Sequence, residues 1–225
     1  MPADKTPPGL AVGLPLHVAA LAVLLGITWA AWNHLGRPVP VVFWCAVALP
    51  VVHQVFVWLA WRMELLSSAT SKAIGFRGYV VLFFLLFGGR FVALLVLGWM
   101  DQGSLGLSPL TRAILTTLLV IPGVYTMYSV QRFFGLARAT GADHFDSRYR
   151  EMPLVNQGVF RFTGNAMYLL GFFLFWAVAV AFDSSAALVV AGFSHLYIWV
   201  HYHATEEPDL DYLHAPASTT RGEGR

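Results

Sequence analysis

The chain has 225 residues, of which 57% are hydrophobic and 12% charged, with a mean hydropathy of +0.64 and a formal net charge of +2. Soluble domains carry about twice that share of charge, so the composition excludes a water-soluble globular protein and describes an integral membrane protein. Its one cysteine, Cys45, excludes an intramolecular disulfide, and no nucleic-acid-binding motif is present.

A helix crosses the hydrocarbon core in about 20 apolar residues. The first such stretch covers residues 12–32. It lacks a basic segment and a small-residue cleavage site, so it is expected to be a retained helix and not a signal peptide. Further spans are expected at residues 41–61, 79–100 and 110–130, the third enclosing Arg90 in the run Phe87-Gly-Gly-Arg90. Residues 132–164 form a polar connector whose part from Phe133 to Arg150 reads as an interfacial amphipathic helix interrupted at Gly141. Pro153 and Gly158 then mark turns, and Asn165 is placed to cap the next helix. Residues 166–204 are too long for one span, and Asp183-Ser184-Ser185 breaks them into a hairpin. The expected fold is all-α, with about six transmembrane helices, a cytoplasmic interfacial segment and a C-terminal hairpin.

The basic residues partition accordingly. With both termini on one side, that side carries Lys5, Arg62, Lys72, Arg77, Arg132, Arg138, Arg148, Arg150, Arg161, Arg221 and Arg225, while the other holds Arg37 and Arg112. The bias predicts cytoplasmic termini and fits a bacterial inner membrane.

Three polar features inside or beside the spans call for a chemical reading. Arg90 costs at least about 2.5 kcal/mol at the centre of a bilayer; it is either a structural contact or a binder of an anionic substrate group. His195, His201 and His203 raise the prospect of a metal site. The two-residue spacing of His201 and His203 turns them to opposite faces of a helix, and neither His53 nor His144 supplies a second histidine box, so no metal is expected. Glu206-Glu207-Pro208 closes the last apolar stretch. The pair is expected at the C-terminal end of a helix, where the macrodipole opposes negative charge. The pair then calls for a cationic partner, either arginines of the connector or a bound cation; a solvated charge cluster is the plainer reading.

Two segments together resemble the integral membrane methyltransferases of the isoprenylcysteine carboxyl methyltransferase and phospholipid N-methyltransferase superfamily. One is Gly158-Val-Phe160-Arg161-Phe-Thr-Gly164-Asn165-Ala166-Met-Tyr168, and the other, one hairpin later, is Glu206-Glu207-Pro208-Asp209-Leu210. The family usually has Arg where Gly164 stands and Pro where Ala166 stands, and an aromatic tail beyond the last segment that is not seen after Tyr212. The resemblance implies a single membrane domain (1–225) whose residues 109–214 form the methyltransferase-like core, with 1–108 unassigned. It implies S-adenosylmethionine bound on the cytoplasmic side. Glu206 or Glu207 would accept from the cofactor's ammonium, Tyr168 would face its sulfonium, and Gly158, Asn165 and Arg161 would hold the rest. His201 or His203 would take a proton from the acceptor, and Arg90 would contact a lipid substrate. The expected reaction is N-methylation of a phospholipid amine of the phosphatidylethanolamine type. Carboxyl methylation of a prenylcysteine-like substrate is the alternative. A non-catalytic six-span lipid binder or transporter, or a redox enzyme of the sterol-reductase type, are the rivals.

Overall fold

The computed structural model describes residues 6–214, all helical in their regular parts. Lys5, Arg221 and Arg225 of the charge partition lie outside the described residues. The first four long helices are α1 (Leu14–His34), α2 (Pro40–Ser67) with a one-turn extension α3 (Ala69–Ala73), α4 (Gly75–Met100) and α5 (Pro109–Ser129). A proline sits in the first turn of α1, α2 and α5, where its missing N–H leaves no bond unmade. Ser108 completes the start of α5 by accepting from the Thr111 amide at 3.1 Å. These four, the last continued as a π-turn over Val130–Phe134, are long and apolar enough to cross a membrane.

The connector is not one amphipathic helix. It folds as three single turns, α6 (Leu136–Ala139), α7 (Ala142–Phe145) and α8 (Ser147–Arg150). Gly135 (φ 93°) and Gly141 (φ 83°) take the positive φ that glycine allows immediately before α6 and α7, and the Asp146 side chain starts α8 by accepting from the Arg148 amide. A 3₁₀ turn at Gly158–Arg161 leads into the hairpin.

The hairpin consists of a π-turn Met167–Gly171 running into α9 (Phe173–Ala181), then α10 (Ser185–His201), a second π-turn Tyr202–Glu206 and α11 (Glu207–Leu213). Its break is where the polar triplet predicts it. Asp183 takes φ 57°, its carboxylate accepts from the Leu107 amide at 3.0 Å, and Ser184 caps α10 through Ala187 N. Four helices are long and apolar enough to cross a membrane, and the two arms of the hairpin pack against them, α9 on α5 and α10 on α1 and α2.

A cluster of Phe43, Leu94, Leu97, Phe175, Ala187 and Tyr197 forms the centre of the bundle. Small residues set the closest approaches, as expected where lipid supplies no hydrophobic drive between helices. A Cβ at Gly123 of α5 would stand 2.7 Å from the Leu174 side chain. At Gly13 (φ 75°) it would stand 1.8 Å from the Ala204 carbonyl oxygen, so only glycine lets the N-terminal turn lie on the second π-turn. The two described ends of the chain meet there: Arg62 donates to Gly9 O at 2.9 Å and to Thr205 O at 3.5 Å.

The two glutamates do not close a helix. Backbone helix continues from Ser185 through Leu213, so Glu206 and Glu207 do not sit at a helix C-terminus. Pro208 lacks the N–H that an uninterrupted α-helix would use. The π-turn just before it shifts the bonding register, and Pro208 falls in the first turn of a new α-helical segment.

Candidate active site

The π-turns Met167–Gly171 and Tyr202–Glu206 lie at the same end of the hairpin and bring Tyr168 against Glu206, where the Tyr168 hydroxyl donates to the carboxylate. π-turns widen a helix locally and recur at functional sites. Around this pair stand Trp199 and Tyr202, with ring centroids 6.0 and 5.9 Å from that of Tyr168, each meeting it edge to face. Among the described residues no cationic side chain is paired with Glu206. It keeps a little surface contact with solvent but is densely surrounded by protein atoms. Burial pushes its carboxyl up to about 7, against the lowering by the Tyr168 hydrogen bond and by His144.

Tyr168 is also part of the wall of a cavity of about 190 Å³ between α2, α4, α5 and the hairpin. The wall is almost wholly aromatic and aliphatic, and its polar positions are His53, Gln54, Arg90, Thr140, Tyr168 and His201. His201 is buried, 2% exposed, and neither ring nitrogen has a hydrogen-bond partner. Buried polar groups are nearly always hydrogen-bonded, so an imidazole left unbonded at a cavity wall marks this part of the wall as unusual.

Behind His201 lies a layer of buried charge. Arg62 Nε stands 3.0 Å from Asp209 Oδ1, both side chains wholly buried, in an ionic contact without hydrogen-bond alignment. His144 Nε2 approaches Asp209 Oδ2 at 3.3 Å, and its Nδ1 approaches Asp143 at 3.0 Å. Burial alone would lower the His144 pKa, but the two carboxylates overcome it and raise it to about 9. The ring stacks on Trp61 (centroids 4.1 Å apart), which packs in turn on His201 at 5.6 Å. Trp61 is held by donating to the Tyr79 hydroxyl at 2.8 Å, and that hydroxyl donates to Thr140 O at 2.8 Å. The connector is thereby fastened to α2 and to α11.

Of the residues singled out in the sequence, Tyr168, His201 and Arg90 share this cavity, and Glu206 is one hydrogen bond from it. The others lie elsewhere. His203 and Glu207 are at the surface, 3.0 Å apart in an i, i+4 pair. Arg161 is exposed and stacks on Phe162. The Asn165 carbonyl accepts from the amides of Tyr168 and Leu169, as an N-cap's does, while its side chain makes no cap. Gly158 takes φ 60° and is pressed against Ser129 and Phe133, the amide of Val159 donating to Ser129 Oγ at 3.1 Å. Three participants were not anticipated: Arg62 and Asp209, and His53, whose Nδ1 lies 3.0 Å from Arg90 Nη1. The signal for His53 was present, since an ionisable residue in the middle of a span is a functional candidate by itself. Among the described residues no three His, Cys, Asp or Glu side chains come together as a metal site.

Comparison with known proteins bears on residues 111–216, which match the model of the phospholipid methyltransferase family. Over 107 residues, 48% of this chain, it is 25% identical to the phosphatidylethanolamine N-methyltransferase of Debaryomyces hansenii. The match covers 12% of that relative's length, so the chain corresponds to a small part of it. No solved structure matches.

Proposed function

We propose, on the match of residues 111–216 to the phospholipid methyltransferase family, that this protein transfers a methyl group from S-adenosylmethionine to the amine of a membrane lipid. The observation that carries the reading is Glu206: among the described residues a carboxylate crowded by protein, without a cationic partner, and bonded by Tyr168, whose ring meets Trp199 and Tyr202. Such a site fits a ligand bearing an ammonium and a sulfonium, the first on the carboxylate and the second over aromatic faces. When bound, S-adenosylmethionine supplies an electrophilic methyl group.

The chain's own residues supply alignment, dryness and a place for a proton. The aromatic wall excludes water, which leaves positioning as the main contribution to a displacement reaction. A lipid amine reaches the cavity as an ammonium and must lose a proton before it attacks. His201, with both ring nitrogens free, accepts that proton at one of them. His144 and Trp61 hold the His201 ring from behind. His203 faces away, so of the two histidines only His201 serves as base. Glu206 stands at the same end of the bundle as the connector, where the basic residues gather; by the positive-inside bias that end faces the cytoplasm, where S-adenosylmethionine is made.

Titration calorimetry of the purified protein in detergent tests the assignment. Glu206 must be ionised to hold an ammonium, so affinity for S-adenosylmethionine should fall about tenfold per pH unit below about 7 and level off above it. Glu206→Gln should weaken binding by roughly 10- to 100-fold, as for a lost charge-assisted hydrogen bond, and remove the pH dependence. No binding by the folded wild-type protein, or binding indifferent to pH, would sink the proposal. Transfer of labelled methyl groups into phosphatidylethanolamine and into a prenylcysteine analogue then identifies the acceptor.

A further inference from the structure

The opposite part of the cavity presents a different chemistry. Arg90 is the sixteenth of the 26 residues of α4, about 22 Å and 15 Å from the two ends at the usual rise of 1.5 Å per residue. Its side chain is 2% exposed, and the guanidinium is framed by the rings of Phe87, Phe172 and Phe175 at 5.6 to 5.8 Å. Among the described residues no carboxylate pairs with it. Its single partner is His53 Nδ1, while Nε and Nη2 are buried with none.

The His53 contact fixes that ring's state. A guanidinium only donates, so Nδ1 must accept, and the ring proton is left on Nε2. That N–H is also buried and unpaired, as is the amide nitrogen of Gln54 one residue on. Arg90, His53 and Gln54 all belong to the cavity wall. The inner part of the cavity therefore gathers several unpaired donors and one uncompensated positive charge, with no acceptor to meet them. Leaving a charge so placed costs several kcal/mol unless a ligand answers it.

We propose that Arg90 and His53 form a binding site for the anionic oxyacid group, phosphodiester or carboxylate, of a lipid-like amphiphile held inside the membrane domain. The proposal rests on the methyl-transfer reading for what happens at the other end of the ligand, since His201 and Tyr168 line the same cavity. In that arrangement the anionic group sits on Arg90 and the nucleophile faces His201. The substrate would then be an amphiphile carrying both groups near one end, drawn sideways from the bilayer, and an uncharged lipid would be a poor ligand.

The test uses the whole chain in detergent, without methyl donor, and three amphiphiles of equal chain length: lysophosphatidylethanolamine, a fatty acid and a neutral monoacylglycerol. Binding is followed by calorimetry, with native mass spectrometry to count bound molecules. Wild-type protein should bind one or both acidic amphiphiles at least about tenfold more tightly than the monoacylglycerol, the stronger of the two identifying phosphate or carboxylate as the preferred group. Arg90→Gln should abolish that preference and leave the monoacylglycerol affinity unchanged. Equal affinity of the wild-type protein for all three overturns the proposal, whatever becomes of the variant's folding. So does an undiminished preference in a folded Arg90→Gln protein. Because no methyl donor is present, an acid preference without later methyl transfer refutes the proposed activity alone, and methyl transfer without an acid preference refutes this site alone.

Discussion

Asp209 offers the sharpest test of how the site is held. Its carboxylate is wholly buried and meets two groups, Arg62 at 3.0 Å and His144 at 3.3 Å. Replacing it with leucine keeps the branching of the side chain at a somewhat larger volume and removes the charge. Arg62 is then left fully buried with carbonyl contacts to Gly9 and Thr205 only. Removing one partner of a buried ion pair costs about 3–5 kcal/mol, mostly from the stranded charge. For a chain of this size that corresponds to a fall of about 10 °C or more in the unfolding midpoint. If the stranded charge is the cause, adding Arg62→Met to Asp209→Leu should recover most of the loss, since an apolar pair of similar volume is often neutral. His144 keeps Asp143 as a partner in the double variant. Midpoints by differential scanning fluorimetry in detergent, for the two single variants and the double, complete the cycle. A double variant no more stable than Asp209→Leu would refute the reasoning and assign the cost to lost packing.

Two further outcomes follow from other parts of the fold. The His144 pKa is raised from 6.5 to about 9 in the folded protein, so its contribution of about 3 kcal/mol is fully present below pH 6.5 and disappears as pH rises through about 9. Midpoints measured across that window should fall in the wild-type protein and flatten in His144→Gln; an unchanged slope in the variant would exclude His144 as the cause. Gly13→Ala should destabilise by about 2 kcal/mol or more, because the new Cβ meets the Ala204 carbonyl at a left-handed backbone position. Gly26→Ala, with open space around its α-carbon, is the control and should be neutral or slightly stabilising.

What the chain shows before folding is considerable. Hydropathy alone places four full spans and the hairpin, because crossing lipid demands long apolar helices whatever their neighbours. Asp183-Ser184-Ser185 announces the hairpin turn, since only a tight polar link between two apolar arms suits those residues there. The superfamily resemblance brought Tyr168 and Glu206 to one site across an intervening hairpin, and their hydrogen bond joins them. The two-residue spacing of His201 and His203 foretold opposite faces, one buried in the cavity and one in water.

Folding decided the rest. Whether Glu206 ends a helix or lies within one turns on a π-turn, and five residues of altered register leave no mark in hydropathy. The fate of each polar residue was equally hidden. Arg90 finds His53 across 37 residues, and Asp209 finds His144 across 65. Periodicity and hydropathy are local properties of a chain, so they tell which residues must leave the lipid. A buried charge takes its meaning from the group opposite it, and only tertiary packing determines what that group is.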